Sequence, residues 1–157
     1  MKQSLILDAA VVDSSAIMSI FEGRSSAPAF RSGLARSRKL YMSAATLMEL
    51  SVVFIGKKDI AGTAPLDAIL SEFMIEVVDF DEPMVRVGRL ACKSYGRGHN
   101  CSSNLNYGDL FSYALAKSKD LPLFFEGLGF SHTDLQDAMN ILGFAFTDTH
   151  MPISLPV

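Results

Sequence analysis

The sequence is poor in the features that mark exported, membrane-bound or zinc-stabilised proteins. It has no tryptophan, two cysteines and three histidines. It also lacks any apolar run of about 18 residues, the length that a membrane-spanning helix needs. The N-terminal segment does not have the layout of a signal peptide, because Asp8 interrupts its short apolar run. We therefore expect a cytoplasmic protein that does not associate with a membrane.

The cysteines and histidines do not predict a zinc site. Cys92 and Cys101 match no zinc-ligand spacing, and the histidines available to complete a site are His99, His132 and His150. A disulfide would require an oxidising compartment, whereas a cytoplasmic protein keeps its thiols reduced. We expect two free thiols, with a bridge as the alternative.

Charge is modest overall but unevenly distributed. The chain has 14 basic and 17 acidic side chains and a net charge of −3, which argues against a strongly basic nucleic-acid binder. The first basic cluster is Arg24, Arg31, Arg36, Arg38 and Lys39, and the second is Arg86, Arg89, Lys93 and Arg97. Spacing of three and four places the second cluster on one helix face. That face is either a solvated surface or a stripe that faces phosphates.

Apolar strand candidates alternate with helical patterns along the chain. The composition, 49% hydrophobic and 20% charged, is that of a globular protein, and 157 residues predict one domain spanning 1–157. The predicted strands are Leu5–Val12, Leu40–Met42, Phe73–Val78 and Leu121–Phe125. Helices between them indicate an α/β fold with a mainly parallel sheet covered on both faces. A short helical turn is expected at Thr133–Asp134, and the pattern does not place the tail, residues 140–157.

The first strand ends at an acidic residue that is followed by a helix start. Asp13 comes after Val11 and Val12, and Ser14 and Ser15 supply oxygens that suit the first turn of a helix. Ligands of parallel α/β sheets bind at the carboxyl ends of strands. Asp13 is therefore either a helix cap alone or a functional carboxylate at the rim of the sheet.

Two further acidic residues lie in surroundings that make a charge costly. Glu49 interrupts the largely apolar segment 44–54, and Asp109 lies at a helix start. Two like charges about 4 Å apart cost on the order of 4 kcal/mol at an effective dielectric of about 20. If Asp13, Glu49 and Asp109 converge, they need a shared proton or a cation, and oxygen ligands favour Mg²⁺ or Mn²⁺. The alternative is that each acid caps a helix or faces water independently.

Five segments, in this order, resemble the PIN-domain ribonucleases and, among them, the VapC toxins of bacterial toxin–antitoxin pairs. They are Val12–Ala16, Met48–Leu50, Leu105–Ala116, Leu123–Gly127 and Phe130–Asp134. The resemblance covers residues 10–136, the expected core, and Asn106–Ala116 is its most specific part. It implies a three-layer α/β/α sandwich with a mainly parallel central sheet. It also implies a metal-dependent endoribonuclease that hydrolyses RNA phosphodiester bonds with Mg²⁺ or Mn²⁺.

The resemblance also implies roles for residues and partners. The catalytic acids, which would hold the metal, are Asp13, Glu49 and Asp109. Asn106 would orient Asp109, Ser14 would support the site, and Asp134 would be a further acid near it. An RNA substrate, a cognate antitoxin and a second copy of the chain in a homodimer are the implied partners.

One position departs from the family pattern. The last two segments, Leu123–Gly127 and Phe130–Asp134, form the C-terminal motif of the family. The family usually carries an acid immediately before the phenylalanine at 130, where this chain has Gly129. Glu126 would compensate only if the loop folds back. The alternative function is therefore a degenerate PIN domain that binds RNA or an antitoxin without efficient cleavage. A third hypothesis, a phosphotransfer receiver, has little support because Glu126, and no lysine, follows the last strand.

Overall fold

The computed structural model describes residues 5–57, 62–98, 103–146 and 152–153. Cys92 is a free, half-buried thiol, as predicted. Cys101, like His99 and His150, lies outside the described residues. None of the helices within these ranges is long and apolar enough to cross a membrane.

Four parallel strands form the central sheet, in the order β3-β2-β1-β4. They are β1 (Ala10–Val12), β2 (Leu40–Ser43), β3 (Ile75–Val78) and β4 (Leu123–Phe124). Val11 lies opposite Tyr41 on one side and Leu123 on the other, which makes β1 an interior strand. The prediction of a mainly parallel sheet is confirmed.

Three strands begin later than predicted, and of these the fourth strand starts at Leu123 instead of Leu121. In the first, Leu7 forms one isolated bridge with Ser37, while Leu5 and Ile6 are exposed, so that regular pairing starts only at β1. In the third, Phe73 caps the preceding helix and Met74 turns the chain with a φ of 50°.

Helices connect the strands. They are α1 (Ser14–Glu22), α2 (Ala27–Ala35), α3 (Ala44–Gly56), α4 (Ala64–Glu72), α5 (Glu82–Tyr95), α6 (Asp109–Lys119) and α7 (Ala138–Ile141). Prolines in the first turns of α2, α4 and α5 suit positions where a backbone N–H has no helical partner. Asp81 caps α5 by accepting a hydrogen bond from the Met84 N–H at 3.0 Å.

The helices form one layer on each face of the sheet. Successive strand side chains point to opposite faces, so Val12 joins a core with α1 to α4 and α7, whereas Val11 joins a core with α5 and α6. In β2, Met42 and Tyr41 divide between the two cores in the same way. The three-layer α/β/α sandwich is confirmed.

The C-terminal part differs from the prediction at Thr133–Asp134, and beyond it the structure has elements that the sequence pattern did not place. Turns replace the helical turn expected at Thr133–Asp134, because the Thr133 hydroxyl donates to the Phe130 carbonyl at 2.8 Å. The next helix is α7, which Asp137 caps through the Met139 N–H at 2.7 Å. Beyond it, β5 (Ala145–Phe146) pairs in antiparallel fashion with β6 (Pro152–Ile153).

Candidate active site

A cleft of about 460 Å³ opens where β1 and β4 end. Of the predicted site residues, those that line it are Asp13, Ser14, Glu49, Asn106 and Asp109. They come from a strand end, the interior of α3 and the start of α6, so the fold joins positions that are far apart in sequence. Asp134 does not line the cleft.

Asp13 is a helix cap and a site carboxylate at once. Its Oδ2 accepts hydrogen bonds from the backbone N–H of Ser15 at 2.9 Å and from the Ser15 hydroxyl at 2.6 Å. The side chain is only 2% exposed, and its Oδ1 is buried with no hydrogen-bond partner among the described residues. A buried acceptor without a donor is costly, and it is satisfied by water or by a cation.

Asp109 is held by a reciprocal pair of hydrogen bonds with Asn106. The Asn106 N–H donates to Asp109 Oδ2 at 2.8 Å, and the Asp109 N–H donates to Asn106 Oδ1 at 2.9 Å. This is the geometry of a capping box, which satisfies two helix-end donors and fixes both side chains. Asn106 therefore orients Asp109 at the start of α6.

Glu49 reaches the cleft from α3 and lies against Gly108. A Cβ at Gly108 would collide with the Glu49 carboxylate, so only glycine leaves room for this approach. The glycine is helical in conformation, with a φ of −65°, so glycine is needed here because it has no side chain and not because of its backbone angles. Gly108 thus sets the position of a carboxylate that belongs to another helix.

The three carboxylates act on one another electrostatically. Burial raises the pKa of Asp109 to about 6; the Asn106 N–H opposes this shift, and the charges of Asp13 and Glu49 reinforce it. Burial, together with the Asp13 charge, also raises the pKa of Glu49. Among these groups Arg97 is the cation that lowers the pKa of Asp109. The site therefore holds more negative charge than its own cations neutralise.

The donor set suits a divalent cation that prefers oxygen. As they stand, no three His, Cys, Asp or Glu side chains within the described ranges are grouped closely enough to hold an ion. The Glu49 side chain is exposed, and like charges repel one another when no cation lies near them. A cation held by these carboxylates would satisfy the unpartnered Oδ1 of Asp13 and would lower the raised pKa of Asp109.

Comparison with known proteins places this architecture. The sequence model of the PIN domain matches residues 10–135. The chain belongs to the PIN-domain family. Ribonuclease VapC42 of Mycobacterium tuberculosis is 37% identical to this PIN domain over 128 residues, which is 82% of this chain and 98% of that protein. Ribonuclease VapC28 of the same species is 34% identical over 130 residues, or 83% and 98% of the two chains.

Solved structures share the fold of this PIN domain at low sequence identity. The crystal structure of Mycobacterium tuberculosis VapC20, a toxin that cleaves the sarcin–ricin loop, aligns with a TM-score of 0.62 and 14% identity, covering 80% of this chain and 95% of that one. VapBC2 from Rickettsia felis, bound to a DNA fragment from its promoter, aligns with a TM-score of 0.62 and 15% identity, covering 82% and 96%.

The two acids of the C-terminal motif of this PIN domain, Glu126 and Asp134, form ion pairs with basic side chains. Asp134 accepts hydrogen bonds from the Tyr113 hydroxyl and from Lys117 Nζ, each at 2.6 Å. The Glu126 carboxylate pairs with Arg24 and accepts from the Ser26 hydroxyl. Although Glu126 is part of the cleft wall, its carboxylate is therefore already neutralised.

Gly129 stands beside the cluster of carboxylates. A Cβ at this position would lie 3.7 Å from Asp109 Oδ2, an ordinary contact distance. A side chain at 129 would thus point at the Asp109 carboxylate. The acid that the family usually has at this position would therefore lie in the cleft, and Gly129 leaves the cleft without it. Glu126 does not replace it in this geometry.

Two contributors to the site were not predicted from the sequence. Ser15 binds Asp13 and, through its hydroxyl oxygen, also accepts from the Glu126 N–H at 2.9 Å, which links the start of α1 to the loop after β4. Gly108 makes room for Glu49. The sequence signal for Ser15 was its position two residues after a strand-ending acid, a spacing typical of a capping turn. No sequence signal indicated Gly108, because the side chain for which it makes room, Glu49, belongs to a helix that is distant in sequence.

Proposed function

We propose that this chain is a metal-dependent endoribonuclease, the toxin of a type II toxin–antitoxin pair, which hydrolyses RNA phosphodiester bonds. The observation that carries the proposal is the buried Asp13 Oδ1, unpartnered among the described residues, in a cleft that Glu49 and Asp109 also line. The relatives at 37% and 34% identity are named ribonucleases, and this supports the same activity here.

Asp13, Glu49 and Asp109 would hold Mg²⁺ or Mn²⁺. When bound, such a cation supplies an activated water and stabilises the charge that develops on the phosphate. Ser15 binds Oδ2 of Asp13 and leaves Oδ1 without a hydrogen-bond partner among the described residues. Asn106 fixes the orientation of Asp109 through two hydrogen bonds, and Ser14 lines the cleft. These contacts organise the carboxylates before substrate arrives.

The test is cleavage of RNA by the purified protein with Mg²⁺ or Mn²⁺. We expect Asp13→Asn and Asp109→Asn each to abolish cleavage, and chelation by EDTA to do the same. Asp134→Asn is the matched control, because it removes the same kind of charge outside the cleft. Cleavage that survives both cleft substitutions would refute the assignment of these residues.

Gly129 favours the second candidate function, a degenerate PIN domain that binds RNA or an antitoxin without efficient cleavage. Titration with Mn²⁺ by calorimetry separates the two. A nuclease gives a saturable Mn²⁺ site that disappears in Asp13→Asn, whereas a binding module takes up RNA but shows no such site.

A cognate antitoxin, a homodimer, a cytoplasmic location and a single domain over residues 1–157 complete the proposal. Helix α3 presents exposed apolar side chains at Met48, Val52 and Ile55, a surface suited to a protein contact. Among the structural neighbours are toxin–antitoxin complexes. Light scattering of the purified chain, alone and with the product of a small adjacent gene, measures both assemblies. A monomer that binds no such product contradicts this part.

A further inference from the structure

The two basic clusters of the sequence have different surroundings in the fold. In the first, Arg24 pairs with Glu22 and Glu126, Arg31 with Glu72 and Arg38 with Asp8. Arg36 donates to the carbonyls of Leu5 and Leu142, so that Lys39 is the one member with neither kind of contact to a described residue. In the second, Arg86 pairs with Glu82, but the remaining three cations form no ion pair with any described residue; they are Arg89, Lys93 and Arg97. The second cluster therefore keeps its charge available for a partner.

These three cations form a stripe on one surface, here called the α5 stripe. Helix α5 buries Met84, Gly88 and Ala91, and the exposed Arg89 and Lys93 lie on its opposite side. The prediction of one helix face fails for the exposed Arg97, because α5 ends at Tyr95 and Gly96 continues in an extended conformation. No acidic residue stands between Glu82 and Asp109. A chain with a net charge of −3 thus has a continuous segment that is purely basic.

The stripe ends beside the cleft. The Arg97 N–H donates to the Leu105 carbonyl at 3.0 Å, and the Leu105 N–H donates to the Tyr95 carbonyl at 3.0 Å. Leu105 is followed directly by Asn106, which caps α6 and orients Asp109. Arg97 is therefore anchored to the segment that carries a cleft carboxylate.

An exposed aromatic ring flanks the same carboxylate. Tyr107 lies between Asn106 and Gly108 and is 77% exposed. Its ring meets Phe111 edge-on at 4.9 Å, and Phe111 in turn meets Phe80 edge-on at 5.0 Å. The ring is thus supported from below while much of its surface faces solvent, as in the platforms on which unpaired bases stack.

We infer that single-stranded RNA reaches the carboxylates along α5, with its phosphates against Arg89, Lys93 and Arg97 and an unpaired base stacked on Tyr107. This inference rests on the proposed ribonuclease function and adds the direction from which the substrate enters. A phosphate backbone is the complement of a stripe of cations that form no ion pair with any described residue, and it allows any base sequence. The exposed ring of Tyr107, two residues after the Leu105 that binds Arg97, would stack on a base that is free to unstack, and so favours a single strand over a duplex.

Binding of a fluorescein-labelled single-stranded oligoribonucleotide, measured by anisotropy in EDTA at 50 to 200 mM KCl, tests the inference without cleavage. We expect Arg89→Gln, Lys93→Gln and Arg97→Gln each to weaken binding and to reduce the slope of log affinity against log salt by about 0.7. The triple variant should lose a slope of about 2. Arg31→Gln, which removes the same charge from α2, is the matched control and should leave the slope unchanged. Arg97→Lys should restore most of the binding lost in Arg97→Gln.

The stacking contact is tested separately. Tyr107→Ala should weaken binding about fivefold or more at every salt concentration, with no change of slope, whereas Tyr107→Phe should bind like the unmodified protein. A triple α5 variant with an unchanged slope and an unchanged melting temperature overturns the inference. So does a duplex that binds as tightly as the single strand.

Failure of the proposed function gives a different result. If the unmodified protein does not cut RNA with Mn²⁺ but shows the expected changes of slope, the nuclease proposal is contradicted and the RNA path along α5 is supported. If it cuts RNA while the α5 variants bind and cut normally, the nuclease proposal is supported and the path is refuted.

Discussion

Two aspartates are held against helix α6 in opposite ways. Asp109, its first residue, faces Asp13 and Glu49, and its pKa rises to about 6. Burial also pushes the pKa of Asp134 upward, but the bonds from Lys117 and Tyr113 outweigh it and leave that pKa below its ordinary value.

This contrast separates acids whose charge is balanced within the fold from acids whose charge is not. Asp134 and Glu126 have cationic partners within the fold, and their charges are balanced without any ligand. The carboxylates of the cleft have too little internal compensation, so the fold carries an electrostatic cost there. A fold tolerates such a cost where a bound ligand compensates the charge, and this is the pattern expected of functional sites.

The largest contrast is expected between Asp109→Asn and Asp134→Asn. The first should reduce RNA cleavage by at least about 100-fold, because it removes a charge that acts on the reacting phosphate. It should also raise the melting temperature in EDTA, because a buried charge without compensation is gone. The second should leave cleavage intact and lower stability by about 1 kcal/mol or less, because it weakens an exposed ion pair. Cleavage assays and thermal melts in EDTA measure both; a fall in the melting temperature of Asp109→Asn contradicts this account.

Gly108→Ala should displace the Glu49 carboxylate without harming the fold. The new methyl group collides with the carboxylate, which is the mobile end of a side chain, so the carboxylate and not the backbone should move. We expect Mn²⁺ affinity to fall by about tenfold, the scale on which a misplaced ligand is felt. Gly56→Ala, where a Cβ meets no atom, is the control. Equal Mn²⁺ affinities of the two variants, measured by calorimetry, would show that Glu49 does not take part in binding the ion.

Gly129→Asp should reverse the departure from the family pattern. Its Cβ lies 3.7 Å from Asp109 Oδ2, so the new carboxylate joins the cluster. We expect tighter Mn²⁺ binding and a lower melting temperature in EDTA, since the added charge repels Asp109 when no cation is present. Gly129→Asn has nearly the same shape and no charge, and it should produce neither change. Weaker Mn²⁺ binding in Gly129→Asp than in Gly129→Asn would exclude the position as part of the site.

The smallest effect concerns pH. In the metal-free protein the folded state keeps the Asp109 proton up to about pH 6, whereas the unfolded chain releases it near its ordinary pKa. Protonation therefore favours the folded state, and this contribution is lost as the pH rises from about 4 through 6. The melting temperature in EDTA should fall more steeply over this range in the unmodified protein than in Asp109→Asn. Parallel curves would show that Asp109 titrates alike in both states.

The sequence was informative where local rules govern structure. The cap at Asp13, the start of α6 and the parallel sheet follow from apolar runs and turn residues a few positions apart, and the structure has them. The first strand was wrong at its start because an apolar run does not reveal that Leu5 and Ile6 have no neighbouring layer. The position of Asp134 was equally unreadable, since its partners Tyr113 and Lys117 are distant in sequence. That Asp13, Glu49 and Asp109 act together stays a prediction for the experiments above.

The loop after β4 is fastened on two sides, by its backbone to Ser15 and by the Glu126 side chain to Arg24 and Ser26. This has an evolutionary consequence for Gly129, which lies three positions further on. Every glycine codon becomes an aspartate or glutamate codon by a single G-to-A change at its second position. The backbone of this loop already directs residue 129 at Asp109, so an acidic side chain would arrive in place without remodelling. The missing carboxylate is thus one nucleotide away, and a lineage can gain or lose it as selection on the activity of the protein changes.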